Sequence, residues 1–359
     1  MINIVHHNAD QLFEQVSHLI AEARSHVARA VNSAMVTTYY EIGRHIVENE
    51  QNGQQRAQYG KQVLQELSAR LTAEFGKGWS VETLTNCRKF FSVYSKSYPV
   101  VTNSQDVVSN GYEMRQFVLP WSHYLILMRE ENPAARKFYE IESQRQQWSK
   151  RQLQRQVASS LYERLALSRD KDEVMRLSRE GQTIEKPQDI IKDPVTLEFL
   201  GLKPDTAYSE SKLENAIISK LQNFLLEMGK GFLFEARQKR FTFEERNFYV
   251  DLVLYNRLLQ CYVLVDLKID DLTHQDLGQM QMYVNYYDRY VKEDFEHPTI
   301  GILLCKEKSD ALVELTLPKD ANIYATQYQL YLPDKALLQS KVKEWIEEYN
   351  EANPETENE

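Results

Sequence analysis

Apolar residues recur at positions 12, 16, 19, 20, 23, 27, 31, 34, 35, 42 and 46. This three-and-four spacing predicts a helix or helix pair from Asp10 to about Glu48, with a break near Asn32 and Ser33. After a loop at Gly53, Val63, Leu64, Leu67, Leu71 and Phe75 form the next stripe. Gly76-Lys77-Gly78 stops it, and Ser80 is placed to cap a helix bearing Leu84, Cys87, Phe90, Phe91 and Tyr94. Ser122 behind Pro120-Trp121, the pair Asn132-Pro133, and Ser149 with Gln152 three residues on signal further helix starts. The first half therefore reads as all helical.

Between Gly181 and about Ser209 the periodicity fails and Pro187, Pro194 and Pro204 appear, which predicts a linker. Beyond it the pattern changes. Leu213, Ile217, Leu221, Phe224 and Met228 predict a helix; strand-like runs follow at 232–243, 247–255 and 261–269. A helix over 273–290, strands over 299–305 and near 324–332, and a last helix over 334–349 complete the order, which implies a mixed sheet flanked by helices. The expected fold class is a multidomain α+β chain. An all-helical domain with a helix-turn-helix spans 1–165, a linker with short helices 166–208, an α/β domain 209–350 and an acidic, frayed tail 351–359.

Composition narrows the class. The 359 residues are 42% hydrophobic and 26% charged, with only 12 Gly and 10 Pro, which excludes collagen-like and wholly disordered chains. No apolar run approaches the roughly 20 residues of a membrane helix, and the first residues lack a basic segment followed by an apolar one. A cytoplasmic protein with no membrane partner is expected. Cys87, Cys261 and Cys305 form no C-x-x-C pair, and the eight histidines show no H-E-x-x-H spacing, so a zinc enzyme is not indicated.

The formal charge of −9 hides two basic segments. Residues 56–96 carry seven basic against three acidic side chains, and residues 136–155 carry six against two. The first includes the helix, glycine turn and helix whose spacing is that of a helix-turn-helix. On DNA, Lys77 from the turn and Thr83, Asn86, Arg88 and Lys89 from the second helix would meet phosphates and base edges. The alternative is an αα-hairpin with a solvated face.

The chemistry concentrates in the second half. Asp266 and Lys268 interrupt an apolar strand, where burying them costs several kcal/mol unless they are used or paired. Period two puts both on one face, and the preceding strand holds a second isolated carboxylate, Asp251. If Tyr255 pairs with Gln260, Asp251 faces Leu264 and Asp266 is its diagonal neighbour, roughly 5 to 8 Å away. A slip of one residue would put Asp251 on the other face. Two carboxylates suit Mg²⁺ or Mn²⁺, with the Leu267 carbonyl as an extra ligand, and such a cation assists phosphodiester hydrolysis. The Lys268 ammonium can orient the attacking water.

Asp251, the triplet Asp266-Leu267-Lys268 and the helical Gln279 and Tyr283 together resemble the PD-(D/E)xK nuclease superfamily and its Q-x-x-x-Y motif. The stretches from Trp121 to Tyr124, Leu161 to Leu165, Gly229 to Phe232 and Tyr328 to Leu332 look like those of YhcG-like bacterial proteins, in which a helical domain precedes such a nuclease domain. The resemblance spans nearly the whole chain. It implies a restriction-endonuclease-like sheet, metal binding by Asp251 and Asp266, catalysis by Lys268 and support from Gln279 and Tyr283. The leading reading is a metal-dependent DNA endonuclease of repair, recombination or defence, with RNA left open as substrate; one site per chain would make a homodimer the economical assembly for cutting two strands. A catalytically silent DNA-binding or adaptor protein is the rival reading. Glu214 is either the fourth residue of a capping box begun by Ser211 or the first-helix glutamate that in many of these nucleases reaches the metal. Val250 replaces the proline of the superfamily name, and Asp270 and Asp271 add negative charge after the catalytic strand. His274 and Cys261 read as structural.

Overall fold

A computed structural model describes residues 2–52, 57–97, 117–167, 171–203, 208–318 and 320–352. The chain forms two compact units, Met1–Gln154 and Arg155–Glu359. The expected tail lies outside the described residues from 353 onward.

The first unit contains α1 (Ile2–Asn52), α2 (Ala57–Phe75), α3 (Val81–Ser97), α4 (Trp121–Leu127) and α5 (Pro133–Arg145), and α6 (Lys150–Ala158) crosses the unit boundary. No strand occurs among its described residues. The expected break in α1 is absent. Asn32 and Ser33 each cost at most about 0.7 kcal/mol of helix propensity, and the alanines at 28, 30 and 34 around them favour continuation. The apolar positions of its first half stand exposed, Phe13 at 72% and Val27 at 64%, while Val36, Tyr40 and Ile46 are buried. At Gly43 a Cβ would collide with the Cys87 carbonyl, so the absent side chain lets α1 press against α3.

The stripe predicted for α3 is the core: Leu84, Cys87, Phe90 and Tyr94 are almost wholly buried. The Phe90 ring lies 4.8 to 5.8 Å from those of Tyr94, Phe117, Tyr124, Trp121 and Tyr40. Gly76 and Gly78 take positive φ of 82° and 121° in the turn, and the Ser80 hydroxyl accepts from the Thr83 amide at 3.2 Å. Asn132 caps α5 by accepting from Ala134 at 2.9 Å. Ser149 and Gln152 exchange the two bonds of a capping box. Ser122 does not cap α4, which starts one residue earlier behind Pro120.

The second unit adds α7 (Leu161–Leu167), α8 (Lys171–Glu180), β1 (Val195–Thr196), α9 (Glu210–Ser219), α10 (Leu221–Met228), β2 (Phe232–Phe243), β3 (Arg246–Asn256), β4 (Cys261–Leu267), α11 (His274–Tyr290), β5 (Ile300–Cys305), α12 (Asp310–Thr316), β6 (Ile323–Gln329) and α13 (Lys335–Ala352). The helix expected through Leu213 and Met228 is two, parted at Lys220. The sheet runs β1-β6-β5-β4-β3-β2. Its pairs are antiparallel from β2 to β4 and parallel from β4 to β1, so it is the expected mixed sheet. Leu213, Ile217, Phe224 and Met228 cover one face and Leu277, Met280, Val284 and Tyr287 the other. With both faces covered, β4 is an almost unbroken apolar run in which a carboxylate stands out. Within the segment expected to be a linker, Val195 and Leu197 belong to this core, and β1 forms the sheet's parallel edge.

Beneath that edge Glu227 is fully buried. Its carboxylate lies 2.6 Å from Arg164 Nη1 and 3.0 Å from Arg155 Nη1, and accepts from the Thr196 amide at 3.0 Å. Burial opposes its charge, yet Arg164, Lys192 and Arg155 hold its pKa down at about 2. Since the folded value lies below the unfolded one, this stabilisation is present above pH 4.5 and is lost as pH falls towards 2. Glu227→Ala strands the Arg164 guanidinium and is expected to cost about 3 to 5 kcal/mol in urea unfolding at pH 7. A loss below about 1 kcal/mol would show that this cluster does not hold the unit together.

Candidate active site

The register of β3 on β4 determines the site. Leu252 pairs with Val265 and Asn256 with Cys261. The expected pairing of Tyr255 with Gln260 is therefore off by two residues, because Asn256 joins the ladder and the turn begins at Arg257. A slip of two preserves the face, so Asp251 remains on the side of Asp266 and moves from diagonal to directly opposite. Their neighbours two residues away, Val253 and Leu264, both pack on the α11 face.

The row extends onto β2. Arg237 pairs with Leu252 and Lys239 with Val250, which sets Gln238 opposite Asp251. Gln238 has φ +45°, a left-handed conformation that a non-glycine residue adopts at a cost. Its amide nitrogen donates to Asp251 Oδ1 and to Glu214 Oε2, each at 2.8 Å. The other Glu214 oxygen lies 2.9 Å from Arg237 Nε. The capping-box reading of Glu214 fails: α9 starts at Glu210 with Ser209 as its cap, accepting from the Lys212 amide. Glu214 is instead a buried carboxylate turned to the row.

Asp266 is nearly buried, and its Oδ2 lies 2.9 Å from Lys268 Nζ without an aligned hydrogen bond. Burial first, and then the charge of Asp251, push its pKa up to about 7 against the opposing pull of Lys268. Burial works against the Lys268 charge, but Asp266 foremost keeps the ammonium protonated well above its usual range. The Lys268 backbone continues the ladder, donating to Leu304 O at 2.8 Å. Its ammonium also lies 3.6 Å from Asp276 and 4.0 Å from Glu210. Burial raises the Glu210 carboxyl, partly offset by Lys268. Leu267 enters through its amide, which donates to Asp251 Oδ2 at 2.8 Å.

Gln279 donates to the Tyr283 hydroxyl on α11. Burial raises the Tyr283 pKa, and the charges of Asp266 and Asp251 act in the same direction. Asp276 accepts from the Thr273 amide at 2.9 Å in a capping box that pins the start of α11. The geometry thus brings together Asp251, Asp266, Lys268, Glu214, Gln279 and Tyr283. It adds Gln238, Arg237, Glu210 and Asp276, which sequence reasoning missed. The spacing of Thr273 and Asp276 carried a signal for the last of these; nothing in the sequence pointed to Gln238.

In the first unit the predicted DNA-contacting residues divide. Lys77 and Lys89 are exposed and Asn86 is half-buried. Arg88 Nη1 lies 2.9 Å from Glu50 of α1, and the Thr83 hydroxyl meets Ser80 at 3.1 Å.

Two family models match the chain: the DUF1016 N-terminal domain over residues 15–164 and the YhcG PDDEXK nuclease domain over residues 188–343. Over 346 residues the chain is 38% identical to "Putative nuclease YhcG" of Escherichia coli (strain K12), covering 91% of this chain and 92% of that protein. The chain belongs to the YhcG family. Its second unit is accordingly a PDDEXK nuclease domain, and the row of Gln238, Asp251 and Asp266 lies inside the matched span. Two solved structures, a repair endonuclease from Pyrococcus abyssi and the EndoMS-dsDNA2 complex, each match 37% of this chain and 50% of their own. Their identities to this YhcG-family chain are 19% and 15%, with TM-scores of 0.24 and 0.25. Among the described residues no helix is long and apolar enough to cross a membrane.

Because part of the Asp266 shift comes from Asp251, Asp251→Asn is expected to lower the Asp266 midpoint from about 7. Carboxyl carbon NMR titration in chelator reads this directly. An unchanged midpoint would mean that the two carboxylates do not face each other.

Proposed function

We propose that the chain is a divalent-cation-dependent DNA endonuclease, and the opposed pair Asp251 and Asp266 with Lys268 beside it carries this reading. The donor set fits a hard cation: oxygen ligands, with one carboxyl that burial and a like charge keep from ionising easily. Among the described residues no three His, Cys, Asp or Glu side chains are grouped to hold a metal ion. The opposed pair Asp251 and Asp266 suits Mg²⁺ or Mn²⁺, which take one or two carboxylates and leave the remaining positions to water and phosphate oxygens. Asp251 and Asp266 would hold it, with the Leu267 carbonyl and Glu214 as further donors. When bound, the cation neutralises charge developing on the phosphate and lowers the pKa of a bound water.

The chain's own residues do the rest. Gln238 and Arg237 hold Glu214 and Asp251 in place. Lys268, kept protonated, supplies a fixed positive charge to orient the attacking water or to meet the phosphoryl oxygens. Tyr283 and Gln279 form the neighbouring wall. In the first unit α2, the glycine turn and α3 act as a helix-turn-helix that holds the duplex through Lys77 and Lys89. The exposed Phe13, Val16, Ile20 and Val27 of α1, with Ala23 and Ala30, recur every three or four residues as in a two-stranded coiled coil, which supports a homodimer. The cellular role is DNA repair, recombination or defence.

Asp266→Asn or Lys268→Ala is expected to lower Mg²⁺- or Mn²⁺-dependent cleavage by roughly 100-fold or more, with DNA affinity in chelator nearly unchanged. A panel of duplex, nicked, junction and RNA substrates checks it, and variants as active as the parent would remove this site from consideration. Inactivity of the parent on every substrate would favour the adaptor reading. Lys77→Glu with Lys89→Glu should weaken DNA binding and reduce its salt slope by about 0.9 for each phosphate no longer neutralised. Binding isotherms at several salt concentrations read this, and parental binding by the double variant would take DNA recognition away from α3.

A further inference from the structure

Beside the catalytic row lies an open cleft of about 420 Å³, lined by Asn247, Phe248, Tyr249, Gln279, Met282 and Tyr283. Its size is that of ligand-binding clefts, roughly 300 to 1,000 Å³. Tyr283, which lines the cleft and accepts from Gln279, lies close enough to Asp266 and Asp251 to feel their charges, so the cleft adjoins the row. Phe248 stands at one end of a run of near-parallel rings. It stacks on Phe241 at 5.4 Å and 25°, and Phe241 stacks on Tyr286 at 4.1 Å and 22°. Phe241 is buried, whereas Phe248 is half-buried and reaches the cleft. Nothing lies within 4 Å of a Cβ built on Gly278, next to Gln279, so this side of α11 leaves open space.

Aromatic rings, two side-chain amides and a phenol form one wall system, and the adjoining strand bears charge. Exposed Arg240 and Lys239 of β2 pair in register with Tyr249 and Val250. Ring faces stack on nucleobases whatever their identity, amides of Asn247 and Gln279 can hydrogen-bond base edges, and cations on the neighbouring strand follow a phosphate backbone. Phe248, which packs with Val250 and Val253 on the α11 side of the sheet, is three residues from Asp251, about 10 Å along the strand. That is within one or two nucleotides of a phosphate lying at the carboxylates. A base inside an intact duplex offers no free face to such a wall, while an unpaired base does.

We propose that this cleft stacks an unpaired nucleobase of the DNA strand being cut, so that the site selects DNA with an unpaired nucleotide next to the scissile phosphate. This rests on the nuclease reading above and specifies its substrate class. The full chain is tested in chelator with DNA carrying 2-aminopurine at an unpaired or a paired position, by fluorescence quenching and affinity. The parent should quench the unpaired probe and bind that DNA about tenfold more tightly than the paired form. Phe248→Leu, which keeps apolar volume but removes the ring, should lose both effects, and Phe248→Tyr should keep them. Equal affinity of the parent for the two DNAs, or a folded Phe248→Leu protein that behaves like the parent, overturns the proposal. If Phe248→Leu does not fold, the parent comparison decides alone. Quenching by a parent that cleaves no DNA with Mg²⁺ or Mn²⁺ would defeat the nuclease reading and leave the base cleft standing.

Discussion

The antiparallel pairing of β3 with β4 places two carboxylates against each other at the centre of a sheet. At cross-strand separations near 5 Å and an effective dielectric of about 20, two ionised groups repel by roughly 3 kcal/mol. The fold imposes this because β4 is packed on both faces and cannot slip. Val263, Val265 and Leu267 face one apolar layer and Leu264 the other, so any odd shift would bury polar groups and expose apolar ones. The surroundings answer the repulsion in three ways. Lys268 lies against Asp266, the Leu267 amide and Gln238 bond to Asp251, and Asp266 itself holds its proton up to near neutrality. A site arranged in this manner gains stability when a cation enters.

Much of this was legible in the sequence, for a physical reason. Charged residues in an otherwise apolar strand are costly, so Asp266 and Lys268 announce themselves, and period two fixes which of them share a face. The α-β-β-β-α-β order follows from the change of hydrophobic period after the prolines. Four things were hidden. The turn after Asn256 sets a register two residues from the expected one, which only hydrogen bonding decides. Gln238 sits in a strand of exposed polar residues, where its left-handed backbone has no sequence signature. The segment around Val195 reads as a linker because its strand is two residues long, too short for periodicity, although it docks beside β6. Glu214 reads as a cap because Ser209 and Ser211 are equally good candidates by residue type, and helix geometry chose the first.

The two halves rest on different kinds of stability. In the first unit aromatic rings around Phe90 fill the core, and a missing side chain at Gly43 allows the helices to meet. In the second, Glu227 and its arginines tie α7 and the strand β1 to α10 under the sheet. The carboxylate row sits on this same sheet, on β2, β3 and β4. The cleft that adjoins it is built from the same strand and helix, so a bound base and a bound phosphate would be registered against one framework.

The proposed cation site between the opposed carboxylates is open to direct observation. A crystal structure of the full chain grown with Mn²⁺, with data collected to show its anomalous scattering, tests this most directly. One anomalous peak is expected between the carboxylates of Asp251 and Asp266, with oxygen ligands at about 2.2 Å, and Lys268 Nζ displaced from Asp266 Oδ2. A carboxylate pair without a peak, still closed on the Lys268 ammonium at saturating Mn²⁺, would contradict it.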